Sequence, residues 1–430
     1  MDLRDEVEAT IRAWDAYEVG RGGSPVIDFD CHPVDGGVSA AGSRVEVYRQ
    51  LVELRNMAEG RLRERIGADI AFLGALLGER LPLDEFVGAT QGCGAAGWGE
   101  EYVAACGERA RRTLDDLGVK WGPTTIAELN DIEGRIELAD VPDAIRAATD
   151  ADEPVVRELV GSDAPFELVI ETADVDAYWA YWLDGSGHRV RLRLNLRNAV
   201  FTRAGLRRFA LHEVLGHGLQ SSSWTSAAER GVEWVRLMSV HAQHQVLLEG
   251  LAQALPLFVA PDDRVLMGRV QVDHYIQLVR SELHLGLERG APILELADHA
   301  RRRVPWWSDG VIADALADRG ADPRLRSYLW AYPAGIDWFV HLAETDATTW
   351  RNVLRAAYRS PLTPADLSEL WPTGPTIGGP SSTSAPGLGS SFGLASGAAH
   401  APGPARVSEP DHAPGPNHVS SSDRAPGVGR

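Results

Sequence analysis

The segment 210-ALHEVLGHGLQ-220 places two histidines and a glutamate in a near match to the zinc-peptidase pattern H-E-x-x-H. Three spacer residues separate His212-Glu213 from His217, so the pattern is H-E-x-x-x-H. Histidines at i and i+4 lie about 40° apart around an α-helix, whereas those at i and i+5 diverge by about 140°. A metal site in this segment therefore requires a wide π-turn that absorbs the extra residue. Gly216 lowers the steric cost of such a turn because it lacks a Cβ.

A third metal ligand is expected from a second helix, since catalytic zinc takes three protein ligands and keeps one position open for water. The segment VLLEGLAQALPLF offers Glu249, which follows His217 by 249 − 217 = 32 residues. This separation lets one helix end and a second return antiparallel to it. The small residues Gly250 and Ala252 would permit close approach to the histidine helix.

The two segments together resemble known metallopeptidase sequences. HEVLGHGLQ followed by LEGLAQ is similar to a group with H-E-x-x-x-H plus E-G-L-A that includes tyrosine and glutamate carboxypeptidases acting on protein tails. It also resembles a large bacterial peptidase-like group with H-E, G-H and L-Q followed by E-G-W-A. In that group an arginine-bearing helix and Y-x-x-G follow, and VRSELHLG and YPAG occur here in comparable order. The resemblance covers roughly residues 190–345, and the spacer differs from that of the second group.

The resemblance implies a gluzincin-type site with one Zn²⁺ ion, whose ligands are His212, His217 and Glu249. Glu213 would be the general base that takes a proton from the attacking water and passes it to the leaving amine. Tyr332 of YPAG is the candidate for stabilising the oxyanion, although aromatic residues in such a segment are more often part of a core. Tyr328, one turn earlier, is the alternative and a further candidate for substrate contact.

Other candidates for substrate contact are Asn195, Arg197, His241, Arg280 and Arg326. A strand beside the active helix can receive substrate by edge pairing, which would involve the strand HRVRLRLNLR; its arginines otherwise form a solvated face. His241 lies eight residues before Glu249 on roughly the same face, where a lone histidine is more often structural. A carboxypeptidase would need an arginine for the terminal carboxylate, for which Arg280 and Arg326 are available.

The pattern of apolar residues predicts a mainly α fold with a small β-sheet, an α+β protein. Residues 1–155 are predicted to be a helical scaffold, residues 156–371 the catalytic region, and residues 372–430, rich in Pro, Gly and Ser, a disordered tail. FELVIE, YWAYWL and HRVRLRLNLR are the predicted strands, with the last two joined through 184-DGSG-187.

Composition limits the partners and the location. The net charge of −19 disfavours nucleic acid and anionic membranes. An acidic start without an apolar run and three widely spaced cysteines predict a cytoplasmic protein. Lys120 is the single lysine beside many arginines, which indicates a high-GC bacterium. Residues 28–35, DFDCHPVD, are disfavoured as a second metal site because consecutive residues of an extended loop cannot all converge on one ion.

The sequence thus predicts a zinc metallopeptidase that cleaves a peptide or related amide bond. Exopeptidase and endopeptidase activity both remain open, as does the oligomeric state. One alternative keeps the zinc but acts on a small amide or ester of a biosynthetic pathway. Another is a non-catalytic binding protein on a peptidase fold, which the intact Glu213 disfavours.

Overall fold

A computed structural model describes residues 2–34, 36–175, 180–197, 201–231, 234–320 and 322–379. These residues form a mainly helical protein with one small sheet, as predicted. The α-helices are α1 (Leu3–Gly20), α2 (Arg44–Met57), α3 (Gly60–Leu76), α4 (Leu83–Gln91), α5 (Glu100–Asp116), α6 (Thr125–Glu133), α7 (Val141–Val160), α8 (Arg203–Phe209), α9 (Leu219–Glu229), α10 (Gln245–Val259), α11 (Arg264–Glu288), α12 (Ile293–Arg303), α13 (Asp309–Gly320), α14 (Pro323–Ala343), α15 (Ala347–Ala357) and α16 (Pro364–Leu370).

The sheet is mixed and has the strand order β2-β4-β3-β1-β5. Its strands are β1 (Phe29–Asp30), β2 (Glu167–Ala173), β3 (Tyr181–Ser186), β4 (Arg189–Asn195) and β5 (Leu237–Met238). The hairpin between β3 and β4 is tighter than predicted. Ser186 pairs with Arg189, so Gly187 and His188 alone form the turn, and 184–186 of the predicted turn belong to β3. Gly187 has a φ of 60°, a conformation that glycine adopts without strain.

The strict alternation of β4 decides which face of the sheet is buried. Val190, Leu192 and Leu194 are fully buried. The opposite face carries Arg191 and Arg193, which both bind the carboxylate of Asp184 on β3. The apolar face packs against α7, α8 and the segment that follows α8, so the sheet supports the helix that carries the H-E-x-x-x-H motif.

The largest core cluster lies around α10, whose residues are nearly all buried. It also takes in Phe29, Val87 and Cys93 from the first third of the chain. The predicted boundary at residue 155 falls inside the continuous helix α7. Although α10 is apolar, no helix of the described residues is both long and apolar enough to cross a bilayer.

The segment 372–379 is packed rather than disordered, which corrects the predicted start of the tail. Ile377 is 5% exposed and belongs to the main core. Its carbonyl accepts a hydrogen bond from the amide of Gly94, and that of Gly378 accepts one from Gly97. The glycine-rich loop after α4 therefore holds this segment by backbone contacts. The rest of the predicted tail, residues 380–430, lies outside the described residues.

Candidate metal centre

The motif segment forms the predicted wide turn. Residues Ala210–Gly218 are a π-helix that continues α8 into α9, and the amide of Leu219 binds the carbonyl of Val214, five residues earlier. Gly216 lies where this π-helix touches α10. A Cβ at Gly216 would be 2.9 Å from the Cβ of Ala252 and 2.9 Å from the carbonyl oxygen of Leu211. The glycine thus provides both the widened turn and the close helix contact.

The wide turn brings the two histidines onto one face, opposite a carboxylate of α10. The Nε2 atoms of His212 and His217 lie 3.2 Å apart. The Oε2 atom of Glu249 is 3.6 Å from the first and 3.8 Å from the second. The three atoms form a group that could hold a metal ion. The side chains of both histidines are 15% exposed and that of Glu249 is 5% exposed, and all three residues line a cavity.

The spacing and surroundings of these atoms fit a small divalent cation. Tetrahedral zinc with bonds of about 2.0–2.2 Å requires ligand atoms separated by about 3.3–3.6 Å, close to the observed triangle. Glu249 Oε2 is buried and makes no hydrogen bond. An orphaned carboxylate oxygen that faces two imidazole nitrogens is unfavourable, and a cation between them would pair with its charge.

Burial holds both imidazoles in the form that binds metals. Desolvation lowers the pKa of His217 to about 4. Desolvation also lowers the pKa of His212 well below its usual value, and the neighbouring His217 and Arg208 act in the same direction. Both side chains are therefore neutral near pH 7, with a nitrogen lone pair available as a ligand.

The two glutamates of the site have raised pKa values. Burial, and then the nearby charge of Glu249, raise the pKa of Glu213 to about 8. Burial raises the pKa of Glu249 to about 7, against hydrogen bonds from Tyr328 and Tyr332 that lower it. A cation held by the group would oppose both shifts, since a neighbouring positive charge favours an ionised carboxyl group. Glu213 Oε1 is 3.7 Å from His212 Nε2, so this carboxyl lies directly beside the ligand atoms.

Helix α14 contributes two phenols behind the carboxylate ligand. The hydroxyl of Tyr328 donates to Glu249 Oε1 at 2.5 Å, which leaves Oε2 directed at the histidines. The hydroxyls of Tyr328 and Tyr332 are 2.8 Å apart. Gln253 donates to the main-chain carbonyl of Glu249 at 2.9 Å. The bond from Tyr328 orients the carboxylate from the side away from the histidines, and the bond from Gln253 holds the main chain of Glu249.

The group opens into a cavity of about 420 Å³. One wall is the face of α11 that carries Asp273, Ile276, Gln277 and Arg280, and the others come from the segment before β1, from β3 and from α14. Arg208, one turn before His212 on α8, also lines the cavity and pairs with Asp273 at 2.6 Å. The cavity therefore combines aromatic and apolar surface with a few charged groups, as small-molecule sites do.

Of the residues predicted to touch substrate, only Arg280 and Tyr328 line this cavity. Asn195 is fully buried, where its side chain binds the backbone of Val175. Arg197 pairs with Asp174 at 2.9 Å on the surface. The strands that line the cavity are β3, through 181–183, β1, through Phe29, and β5, through Met238, whereas the end of β4 lies outside it.

His241 and Arg326 also lie outside the cavity lining. His241 is 1% exposed, stacks on Phe72 and binds Asp69 at 2.7 Å. Its predicted face was wrong because α10 begins only at Gln245, so the helical spacing from Glu249 does not extend back to it. Arg326 instead binds Glu288 and the carbonyl of Leu81.

Several lining residues were missed at the sequence level, chief among them Asp28, Tyr181, Arg208 and Asp273. The sequence contained a helical-spacing signal for two of them, Asp273 and Arg208. Asp273 and Arg280 are separated by two helical turns, with Ile276 and Gln277 between them on the same face. Arg208 precedes His212 by four residues and so shares its face. For Asp28, in an extended segment far from the motif in sequence, no local pattern was available.

Neither a protein-family model nor a curated protein matches the sequence. The chain is similar in structure to a solved protein described as "the putative lipoprotein from Colwellia psychrerythraea", at 14% identity and a TM-score of 0.49. The match covers 75% of this chain and 59% of that protein. A likeness at this level gives no information on function.

Proposed function

We propose that this protein is a zinc-dependent hydrolase of peptide bonds. The observation that carries the proposal is the convergence of His212, His217 and Glu249 beside the carboxyl group of Glu213. Two neutral imidazoles and one carboxylate are a ligand set of catalytic zinc, and such sites keep one position for water. The adjacent Glu213 is the group that a hydrolase needs and a structural metal site does not.

A bound Zn²⁺ would polarise the scissile carbonyl and acidify a water molecule. Glu213 takes the proton of the attacking water and delivers it to the leaving nitrogen as the C–N bond breaks. Tyr332, which lines the cavity, donates its hydroxyl proton in a hydrogen bond to the developing oxyanion. Tyr328 is a positioning residue, because its hydroxyl is committed to Glu249.

The size of the cavity bears on the substrate. A volume of about 420 Å³ suits a ligand of a few residues, at the lower end of the range for small-molecule sites. The same observation favours the second candidate, a hydrolase of a small amide or ester.

We also propose that the protein is cytoplasmic and that neither nucleic acid nor a membrane is its partner. The three cysteines are all free and buried, which fits a reducing compartment.

Metal analysis and digestion test the proposal together. Purified full-length protein, loaded with Zn²⁺ and desalted, is expected to retain one ion per chain, whereas His212→Ala and Glu249→Ala retain none. A peptide library incubated with this protein should lose peptides over time, and Glu213→Gln should keep its zinc but not cleave. Absence of stoichiometric metal in folded protein overturns the proposed site. Metal binding with no cleavage by the wild type overturns peptidase activity and leaves the small-amide candidate.

A further inference from the structure

Two charged side chains of the cavity have no ion-pair partner among the described residues. Asp28, in the segment before β1, and Arg280, near the middle of α11, both line the cavity. Asp28 Oδ2 and Arg280 Nε are buried without a hydrogen bond. In this cavity the other arginine, Arg208, is already paired with Asp273 at 2.6 Å. Apart from the two glutamates of the candidate metal centre, the cavity therefore has one unpaired carboxylate and one unpaired guanidinium.

Asp28 lies in an environment that disfavours an isolated negative charge. Its backbone amide is fixed by the carbonyl of Met238 on β5, which holds the residue at the cavity wall. Burial, and then the carboxylates of Asp15 and Glu249, raise its pKa to about 8. A ligand cation at this carboxyl would relieve both effects, because it pairs with the charge and replaces the lost water.

Arg280 is the corresponding positive charge, a guanidinium without a carboxylate partner. Its guanidinium lies over the ring of Trp307 at 5.7 Å, and no carboxylate of the described residues is within ion-pair distance of it. Burial lowers its pKa, and Asp273 and Tyr332 are among the groups that oppose this shift. A guanidinium offers two parallel N–H donors, the arrangement that binds a carboxylate in bidentate fashion.

We propose that the cavity binds a short zwitterionic peptide, with its ammonium group at Asp28 and its terminal carboxylate at Arg280. The inference rests on the proposed function, in which the bond between these two ends is cleaved. Glu249 acts electrostatically on Asp28, and Tyr332 acts on Arg280. Asp28 therefore lies near a proposed metal ligand, and Arg280 lies near the phenol proposed to bind the oxyanion. Two end charges and a cavity of about 420 Å³ point to a dipeptide rather than a protein tail.

Peptide capture tests this proposal without requiring turnover. Zinc-loaded Glu213→Gln protein is mixed with an equimolar dipeptide library in three forms: free, N-acetylated and C-amidated. Retained peptides are quantified by mass spectrometry after ultrafiltration. Free dipeptides are expected to be retained at least about tenfold more strongly than either blocked form, because each block leaves a buried charge unpaired. Bound zinc in the same sample is measured first, so failure of the metal site is recorded separately.

Variants assign each anchor to one end of the peptide. In the Glu213→Gln background, Asp28→Asn should abolish the preference for a free amino end and keep that for a free carboxyl end. Arg280→Gln should do the reverse. Asp298→Asn and Arg301→Gln, which change a surface ion pair with side chains 63% and 44% exposed, are the matched controls. Equal retention of free and blocked dipeptides by zinc-loaded protein overturns the proposal, as does retention of none.

Discussion

Gly250 and Gly335 face each other where α10 crosses α14, and neither position has room for a Cβ. A Cβ on either residue would collide with the backbone of the other, and one on Gly335 would also meet the carbonyl of Val246. This crossing sets the distance between Glu249 on one helix and the two phenols on the other. The glycines of the LEGLAQ and YPAG segments are thus explained by one helix contact. Gly250 faces α14, whereas Ala252 contacts the π-helix, so the small residues beside Glu249 serve two different neighbours.

Replacing either glycine with alanine should separate the two helices. We expect Gly250→Ala and Gly335→Ala each to lower the free energy of unfolding by about 1–3 kcal/mol, the usual cost of overpacking. Zinc affinity should fall as well, because Glu249 moves away from Tyr328. Urea unfolding and zinc titration measure the two effects. Gly88→Ala is the control: it is exposed in α4 with no atom within 4 Å of a new Cβ, so it should be neutral or slightly stabilising. Equal stability of all three variants contradicts the packing argument.

Removing the hydroxyl of Tyr328 should weaken metal binding while the aromatic ring stays in the cavity wall. Tyr328→Phe deletes the hydrogen bond to Glu249 Oε1, and loss of a contact behind a metal ligand typically costs about 10–100-fold in affinity. Tyr332→Phe should lose less zinc affinity but more catalytic rate, because its proposed role is at the oxyanion. Chelator competition and kcat measure the split. Tyr275→Phe, which loses only a bond to the carbonyl of Arg303 at 3.1 Å, is the control. The reverse pattern would exchange the roles of Tyr328 and Tyr332.

The sequence predicts how His212 and His217 converge because their geometry follows from local spacing. Given His212 and His217 at i and i+5, a shared ligand face requires the wide turn that the structure contains. The alternation of β4 likewise predicts which side of that strand is buried. Both inferences need only the period of the backbone.

The substrate contacts are harder to predict because they depend on tertiary packing. Asn195 follows the apolar residues of β4 but turns into the protein to bind the backbone of Val175. Asp28 reaches the cavity only because β1 joins the sheet beside β3, and a two-residue strand leaves no periodic signal. Residues 372–379 are held to a glycine-rich loop by backbone hydrogen bonds, and the composition of the segment gives no sign of such bonds.

Acid should weaken the fold through Asp337 on α14. This buried carboxylate accepts hydrogen bonds from Trp98 at 2.8 Å and Tyr102 at 2.6 Å, and it contacts His274 at 2.9 Å. Burial raises its pKa, but His274, Tyr102 and Trp98 together hold the pKa below its usual value. The folded pKa is then below the unfolded value of about 3.9. The stability that this group contributes is complete above about pH 4 and is lost as the pH falls through the folded pKa.

Asp337→Asn should remove this part of the pH dependence. We expect the variant to lose about 1–3 kcal/mol of unfolding free energy at pH 7, since two donors and His274 lose a charged acceptor. Below pH 4 its stability should fall less steeply than that of the wild type. Urea unfolding between pH 3 and pH 7 measures both, with the surface variant Asp298→Asn as the control. Parallel curves for wild type and Asp337→Asn would show that the carboxylate is not the acid-sensitive group.

Gly216 lies in the wide turn that carries His212 and His217, and its replacement tests whether this turn sets their positions relative to Glu249. In Gly216→Ala the new Cβ meets Ala252 and the carbonyl of Leu211, so the π-helix must shift from α10 or change its turn. Either change moves the histidines relative to Glu249, and we expect zinc affinity to fall about tenfold or more. Adding Ala252→Gly removes the contact with the Cβ of Ala252, while those with its Cα and with the carbonyl of Leu211 remain, so it should restore part of the affinity. Zinc titration of the single and double variants, with circular dichroism to verify folding, measures this. Wild-type affinity in folded Gly216→Ala would show that the wide turn does not set the ligand geometry.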